Sequence, residues 1–80
     1  MRFRVSISRR QGLADPEGTT TARALRDLGY DEVLEVDFGR TMTIEVTTED
    51  EAGARTRIDE MCERLLANPV IEDYHVERIE

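Results

Sequence analysis

The run Met61-Cys62-Glu63-Arg64-Leu65-Leu66-Ala67-Asn68-Pro69-Val70-Ile71-Glu72-Asp73-Tyr74 constrains the fold of this chain more than any other stretch. Its first half carries apolar residues at helical spacing, and its second half is a β-branched and aromatic run. Pro69 has no N–H to give a helix and pushes Asn68 out of the α region, so the helix must stop there. A last helix therefore passes almost directly into a last strand. Whatever precedes this joint has to leave an open place for that strand in a sheet.

The start of the chain supplies the sheet. Arg2-Phe3-Arg4-Val5-Ser6-Ile7-Ser8 alternates strictly, with Phe3, Val5 and Ile7 on one face. After the loop Arg9-Arg10-Gln11-Gly12, Asp15 caps a helix that has Pro16 at its first position, where a missing N–H costs nothing. Ala22, Leu25 and Leu28 form its inward stripe. Gly29 suits the left-handed position after its last turn, letting Tyr30 fold back on Leu25. Two strands follow, with Leu34, Val36 and Phe38 alternating in one and Met42, Ile44 and Val46 in the other. A hairpin at Gly39-Arg40 joins them. An odd connection such as Gly39-Arg40-Thr41, pairing Phe38 with Met42 and Val36 with Ile44, or a bulge keeps both apolar sets on one face. Thr48 and Glu51 read as a capping box opening the second helix, and Glu49, Asp50 and Glu51 suit its positive end. Ala54, Ile58, Met61, Cys62, Leu65 and Leu66 supply its apolar stripe. The last strand, Val70 to Ile79, sets Tyr74 and Val76 on one face and Asp73, His75 and Glu77 on the other, a charged pattern suited to an edge.

The order β-α-β-β-α-β predicts an α+β, ferredoxin-like domain over residues 1–80, with a four-stranded antiparallel sheet and two helices on one face. Eighty residues make one domain with a modest core, and chains of this size often draw stability from partners. The formal net charge is −7, and all eleven basic residues are Arg. Seven of them face eight acids in residues 1–47, whereas residues 48–80 hold four against ten. Such a chain lacks the general attraction to phosphate backbones, so no nucleic acid is expected as a partner. The outward sheet positions Arg4, Ser6, Thr43 and Glu45 also lack the aromatics that stack bases. With no apolar run near ~20 residues and no signal-peptide pattern, the expectation is a cytoplasmic protein without a membrane partner.

Chemistry-bearing residues are few. His75, the only histidine, sits among Asp73 and Glu77 on a solvated strand face, where a general base is not expected. Cys62 lies in the apolar stripe and reads as a small buried hydrophobe. One His and one Cys thirteen positions apart give no metal-ligand spacing. Acids such as Glu49-Asp50-Glu51 serve the helix start. Arg9 and Arg10 leave open a phosphate-ester hydrolase of the acylphosphatase-like kind, but their loop is poor in Gly and the one Asn, Asn68, stops a helix. No catalytic, cofactor-binding or metal-binding residue is expected.

Three motifs in order across the chain carry a resemblance. Asp15-Pro16-Glu17-Gly18, Leu28-Gly29-Tyr30 and the block from Leu65 to Tyr74 resemble the PurS-type small subunit of phosphoribosylformylglycinamidine synthase. The family pattern has Asp-Pro-Gln-Gly where this chain has Glu17, and Gly-Lys where it has Gly39-Arg40. The resemblance implies a non-catalytic structural subunit in de novo purine biosynthesis. It would dock a glutaminase subunit and a synthetase subunit so that ammonia from glutamine reaches the synthetase, with two copies per complex. It also implies self-association as a dimer or larger, and no cofactor in this chain, ATP and Mg being used by the synthetase. Arg9, Arg10, Arg40, Asn68 and Tyr74 are the expected partner contacts. The alternative from another class is a small dimeric ligand-binding or regulatory module of the same fold.

Overall fold

A computed structural model describes residues 1–80. Strand β1 (Arg2–Arg9) leads to helix α1 (Pro16–Asp27), strand β2 (Gly39–Glu45), helix α2 (Glu51–Met61), a π-helical turn (Cys62–Leu66) and strand β3 (Glu72–Arg78). The three strands form one antiparallel sheet in the order β2-β1-β3. Val5 at the centre of β1 faces Met42 on one side and Val76 on the other.

The core follows from the alternation in β1. Phe3, Val5 and Ile7 are buried, and α2 covers them with Ala54, Ile58 and Cys62. Arg55 lays its guanidinium 5.5 Å from the Phe3 ring centre and donates to the Val76 carbonyl at 3.1 Å. The second stripe departs from the expected one at its end. Met61 and Leu65 are exposed, while Ala67 is buried. The π turn is the reason: Ala67 N–H bonds the Cys62 carbonyl five residues back at 3.0 Å, so the inward series runs Ala54, Ile58, Cys62, Ala67. Ala67 is already extended, one residue before Asn68.

The helix starts differ in one detail. Asp15 caps α1 as expected, accepting from Gly18 N–H at 3.0 Å. At its far end Gly29 has φ +104°, and Tyr30 N–H bonds the Leu25 carbonyl at 3.1 Å. For α2 the cap is Asp50, accepting from Gly53 N–H at 3.1 Å, not Thr48. Glu51, which a capping box would turn back on Thr48, instead pairs with Arg78 at 3.2 Å.

Three larger expectations are corrected. Within one chain the sheet has three strands, not four, and no hairpin forms at Gly39-Arg40. Both residues lie inside β2, opposite Ser8 and Ile7. A Cβ on Gly39 would stand 2.6 Å from the Ile7 carbonyl oxygen, so this glycine serves a close approach to β1 and not a turn. Residues 33–38 enter β2 straight, as an arm without a ladder of their own. Finally, α1 does not join α2 over the sheet. Its first turn lies on the arm, with Gly18 against the Val36 carbonyl, and it packs extensively on no other element. The molecule is accordingly long, with extents of 49 × 27 × 14 Å. Its radius of gyration is 16.1 Å; a compact chain of this length would have about 12 Å.

The joint between the π turn and β3 is a turn over Asn68–Ile71, slightly longer than the sequence suggests. Asn68 accepts from Ile71 and Glu72 N–H at its carbonyl, at 3.1 and 2.8 Å, and from Val70 N–H at Oδ1, at 3.1 Å. Pro69 presets the φ of the second turn position. Pro69→Ala should cost about 0.4–1 kcal/mol, mainly by loosening the unfolded chain. His75→Ala, at an exposed position, should stay within about 0.5 kcal/mol. Truncation before Val70 removes β3 and should abolish folding. Urea denaturation checks all three; a severe loss in His75→Ala beside a neutral Pro69→Ala would contradict this placement of β3.

Candidate functional site

One end of the sheet gathers the residues that matter. There β1 finishes at Arg9, β2 and β3 begin, and the π turn delivers Asn68. Arg9, Arg10, Arg40, Asn68 and Tyr74, the five expected partner contacts, all fall at this end. The geometry gives each a partner inside the chain first.

Arg40 is the hub. Its Nη2 donates to both oxygens of Glu72, at 2.9 and 3.1 Å, and to the Leu66 carbonyl at 3.3 Å. Glu72 Oε1 also accepts from Asn68 N–H at 2.8 Å. A single carboxylate thus ties the start of β2 to the residue that leaves the helix. Arg10 donates to the Pro69 carbonyl at 2.5 Å and lies 3.3 Å from Asp73. Its own N–H bonds the Ile71 carbonyl at 2.8 Å. Arg9 donates to the Ala14 carbonyl at 3.2 Å, bracing the loop before α1. Tyr74 Oη donates to Glu63 at 3.0 Å, joining β3 to the π turn.

Asp15 holds the other wall. One oxygen caps α1, and the other accepts from Phe38 N–H at 2.8 Å. Between these walls lies an open cleft of about 560 Å³, lined by Ser8, Arg9, Asp15, Phe38, Arg40 and Glu72 among others.

The electrostatics follow from these bonds. Phe38 N–H, then Gly18 N–H, hold the Asp15 carboxyl below its usual range. Asn68 N–H does the same for Glu72, helped by Arg40. Tyr74 is pushed up to about 12 by loss of water contact and by the Glu63 carboxylate beside it. Burial, then the charges of Asp59 and Glu63, push the Cys62 thiol up. A fully buried, protonated thiol is a packing group. No three His, Cys, Asp or Glu side chains converge to hold a metal ion.

Chemically, the cleft's arginines are already neutralised by carboxylates or held by carbonyls. That differs from a phosphate cradle, which presents unpaired donors toward an empty centre. Two members of the network were not legible in the sequence. Local pattern marks Glu72 only as a strand residue, although its place four residues after Asn68 fits a turn clamp. Local pattern marks Asp15 only as a cap, while its second bond needs the arm brought back over 23 residues.

Comparison with known proteins identifies the family over nearly the whole chain. The family model PurS, described as phosphoribosylformylglycinamidine (FGAM) synthase, matches residues 2–80. This chain belongs to the PurS family. The subunit PurS of phosphoribosylformylglycinamidine synthase from Methanocaldococcus jannaschii is 44% identical over 78 residues, covering 95% of this chain and 94% of that one. The counterpart from Archaeoglobus fulgidus is 43% identical over 72 residues, covering 90% of each. Among solved structures, a chain of PurLQS from Thermotoga maritima superposes with a TM-score of 0.90 at 32% identity, covering 98% of this chain and 95% of that chain.

Two outcomes test the geometry. Asp15 and Glu72 bind a proton less readily folded than unfolded, so their contribution is full above the ordinary carboxylate range near pH 4 and fades as pH falls through the lowered values. Asp15→Ala and Glu72→Ala should therefore lower the urea midpoint at pH 7, with the gap from the parent narrowing as pH falls below the ordinary carboxylate range. A gap unchanged in acid would mean these carboxylates do not act as charged acceptors. Separately, Cys62 should react with a thiol reagent only at the rate of unfolding, and labelling at a rate insensitive to urea would contradict its burial.

Proposed function

We propose that this chain is the non-catalytic structural subunit of a phosphoribosylformylglycinamidine synthase complex in purine biosynthesis, docking a glutaminase and an ATP-dependent synthetase for ammonia transfer. The observation that carries the reading is the full-length match to a chain of PurLQS, at a TM-score of 0.90. The chain's own residues agree with such a role. His75 is exposed on a sheet face, and Cys62 is buried beneath α2. The paired charges at the sheet end shape a firm, polar surface for a docked protein. Arg9, Arg10, Arg40, Asn68 and Tyr74 are proposed as its contact residues.

The physical need for such a part lies in the substrate. Ammonia free in neutral water is largely protonated and no longer a nucleophile. A docked route that excludes water keeps it reactive and prevents its loss. ATP and its Mg²⁺ belong in this reading to the synthetase, and the working place is the cytoplasm. No helix of this chain is long and apolar enough to cross a membrane.

A pair of reconstituted assays checks the proposal, with glutamine or a high concentration of ammonium as nitrogen donor, each with and without this chain. Omitting the chain should abolish or strongly reduce amidine formation from glutamine, while the ammonium-dependent rate survives better. Full glutamine-dependent rate in its absence would rule out coupling. Equal loss with both donors would instead assign it to holding the synthetase in its active shape.

A further inference from the structure

The inward stripe of β1 ends in a charge. Phe3, Val5 and Ile7 are buried beneath the second helical segment, and by the same alternation Arg9 is the next residue on that face. It stands exposed at the wall of the cleft. Its register partner across β1 and β3 is Glu72. An arginine and a glutamate so placed would ordinarily pair. Here they do not. Arg40 holds both Glu72 oxygens, and Asn68 N–H bonds one of them as well. The Glu72 side chain is only 17% exposed, so its carboxylate is spent and sheltered. Two arginines converge on one acid, and Arg40 has it.

The other carboxylate on the cleft wall beside Arg9 is spent too. Asp15 gives one oxygen to Gly18 N–H and the other to Phe38 N–H. Arg9 forms an ion pair with neither acid, nor with any other in the chain. Its one hydrogen bond runs from Nη1 to the Ala14 carbonyl, at 3.2 Å. A guanidinium has five N–H groups, so most of its donors are unspent, while the bond to Ala14 holds the head group in place. Of the three arginines at this end, Arg10 has Asp73 and Arg40 has Glu72. Arg9 alone is a charge without an acid.

We propose that Arg9 anchors an acidic side chain of a docked subunit. An Asp or Glu of the partner enters the cleft and takes the guanidinium in the two-pronged geometry that arginine offers a carboxylate. Phe38, 40% exposed, and Pro16 give an apolar wall for the residues beside that acid. Water leaves as the partner seats, which strengthens the pair. The occupant is a protein and not a free amino acid. A free amino acid would bring an ammonium group as well as a carboxylate, and Asp15 and Glu72 already serve N–H groups of this chain. Arg40 supports the anchor from behind, because it keeps Glu72 from neutralising Arg9.

This deepens the docking reading and rests on it. The chain has no lysine, so Arg9→Lys introduces its only side-chain amine. A water-soluble carbodiimide joins an amine to a carboxylate, taking up the water lost and becoming a urea. In the complex reconstituted from this chain, the glutaminase and the synthetase, Arg9→Lys should yield an amide to an Asp or Glu of one of those two subunits, located by mass spectrometry. Arg23→Lys, at an exposed position of α1 that also lacks an ion pair, should yield none. Arg9→Gln should weaken assembly about tenfold or more, with a urea midpoint close to the parent's. An amide only within the chain or to a second copy of it would overturn the anchor. So would equal joining from both positions, or assembly as tight with Arg9→Gln as with the parent. Those results would leave the coupling function to the glutamine-against-ammonium comparison. Parent chains that do not assemble at all would remove the docking reading and the anchor together.

Discussion

Strand β1 is the one element with a neighbour on each edge and a helix on one face, and the rest of the molecule is arranged around it. Its three inward residues, Phe3, Val5 and Ile7, are buried beneath Ala54, Ile58 and Cys62 of the second helical segment. Burying a side chain of this size is worth about 1.5–3 kcal/mol, far more than any exposed ion pair on this surface, which is worth about 0–1 kcal/mol. Stability therefore lies in that small sandwich. Only nine of the eighty residues are buried, so little of the chain outside it is held by packing.

The polar network at the sheet end has a different task. Its ion pairs are too exposed to add much stability, but they set geometry at a place where several segments converge. Arg40 and Glu72 fix how β2, the π turn and β3 meet, and Asp15 fixes the arm relative to α1. Surfaces meant to meet a partner gain from being set beforehand, since less freedom is lost on association. The π turn belongs to the same design. By carrying the inward series to Ala67, it brings Asn68 within reach of Glu72 while leaving Leu65 exposed.

The chain's one thiol is sealed in the core, and its one imidazole stands in solvent. The charge distribution fits the same picture, with the acidic excess in the second half, where the acids of α2 and β3 face water or pair with Arg.

Much of this was legible in the sequence, because it depends on contacts between near neighbours. The alternation of β1, the Asp15 cap, the Gly29 stop, the Asn68-Pro69 break and the split faces of the last strand are all local, and the structure has each of them. The motifs Asp15-Pro16-Glu17-Gly18, Leu28-Gly29-Tyr30 and Leu65 to Tyr74 carried the family as well. The path at Gly39-Arg40 was not legible. A glycine beside an arginine between two alternating runs suits a turn by local preference, and the same residues suit a straight strand wherever another backbone comes close. The Ile7 carbonyl 2.6 Å from where a Cβ would stand decided between them, and Ile7 is more than thirty positions away. The double use of Asp15 and the clamp of Arg40 on Glu72 are of the same kind. Local order is written in spacing and side-chain type, but which distant backbone approaches which residue is settled only when the sheet assembles.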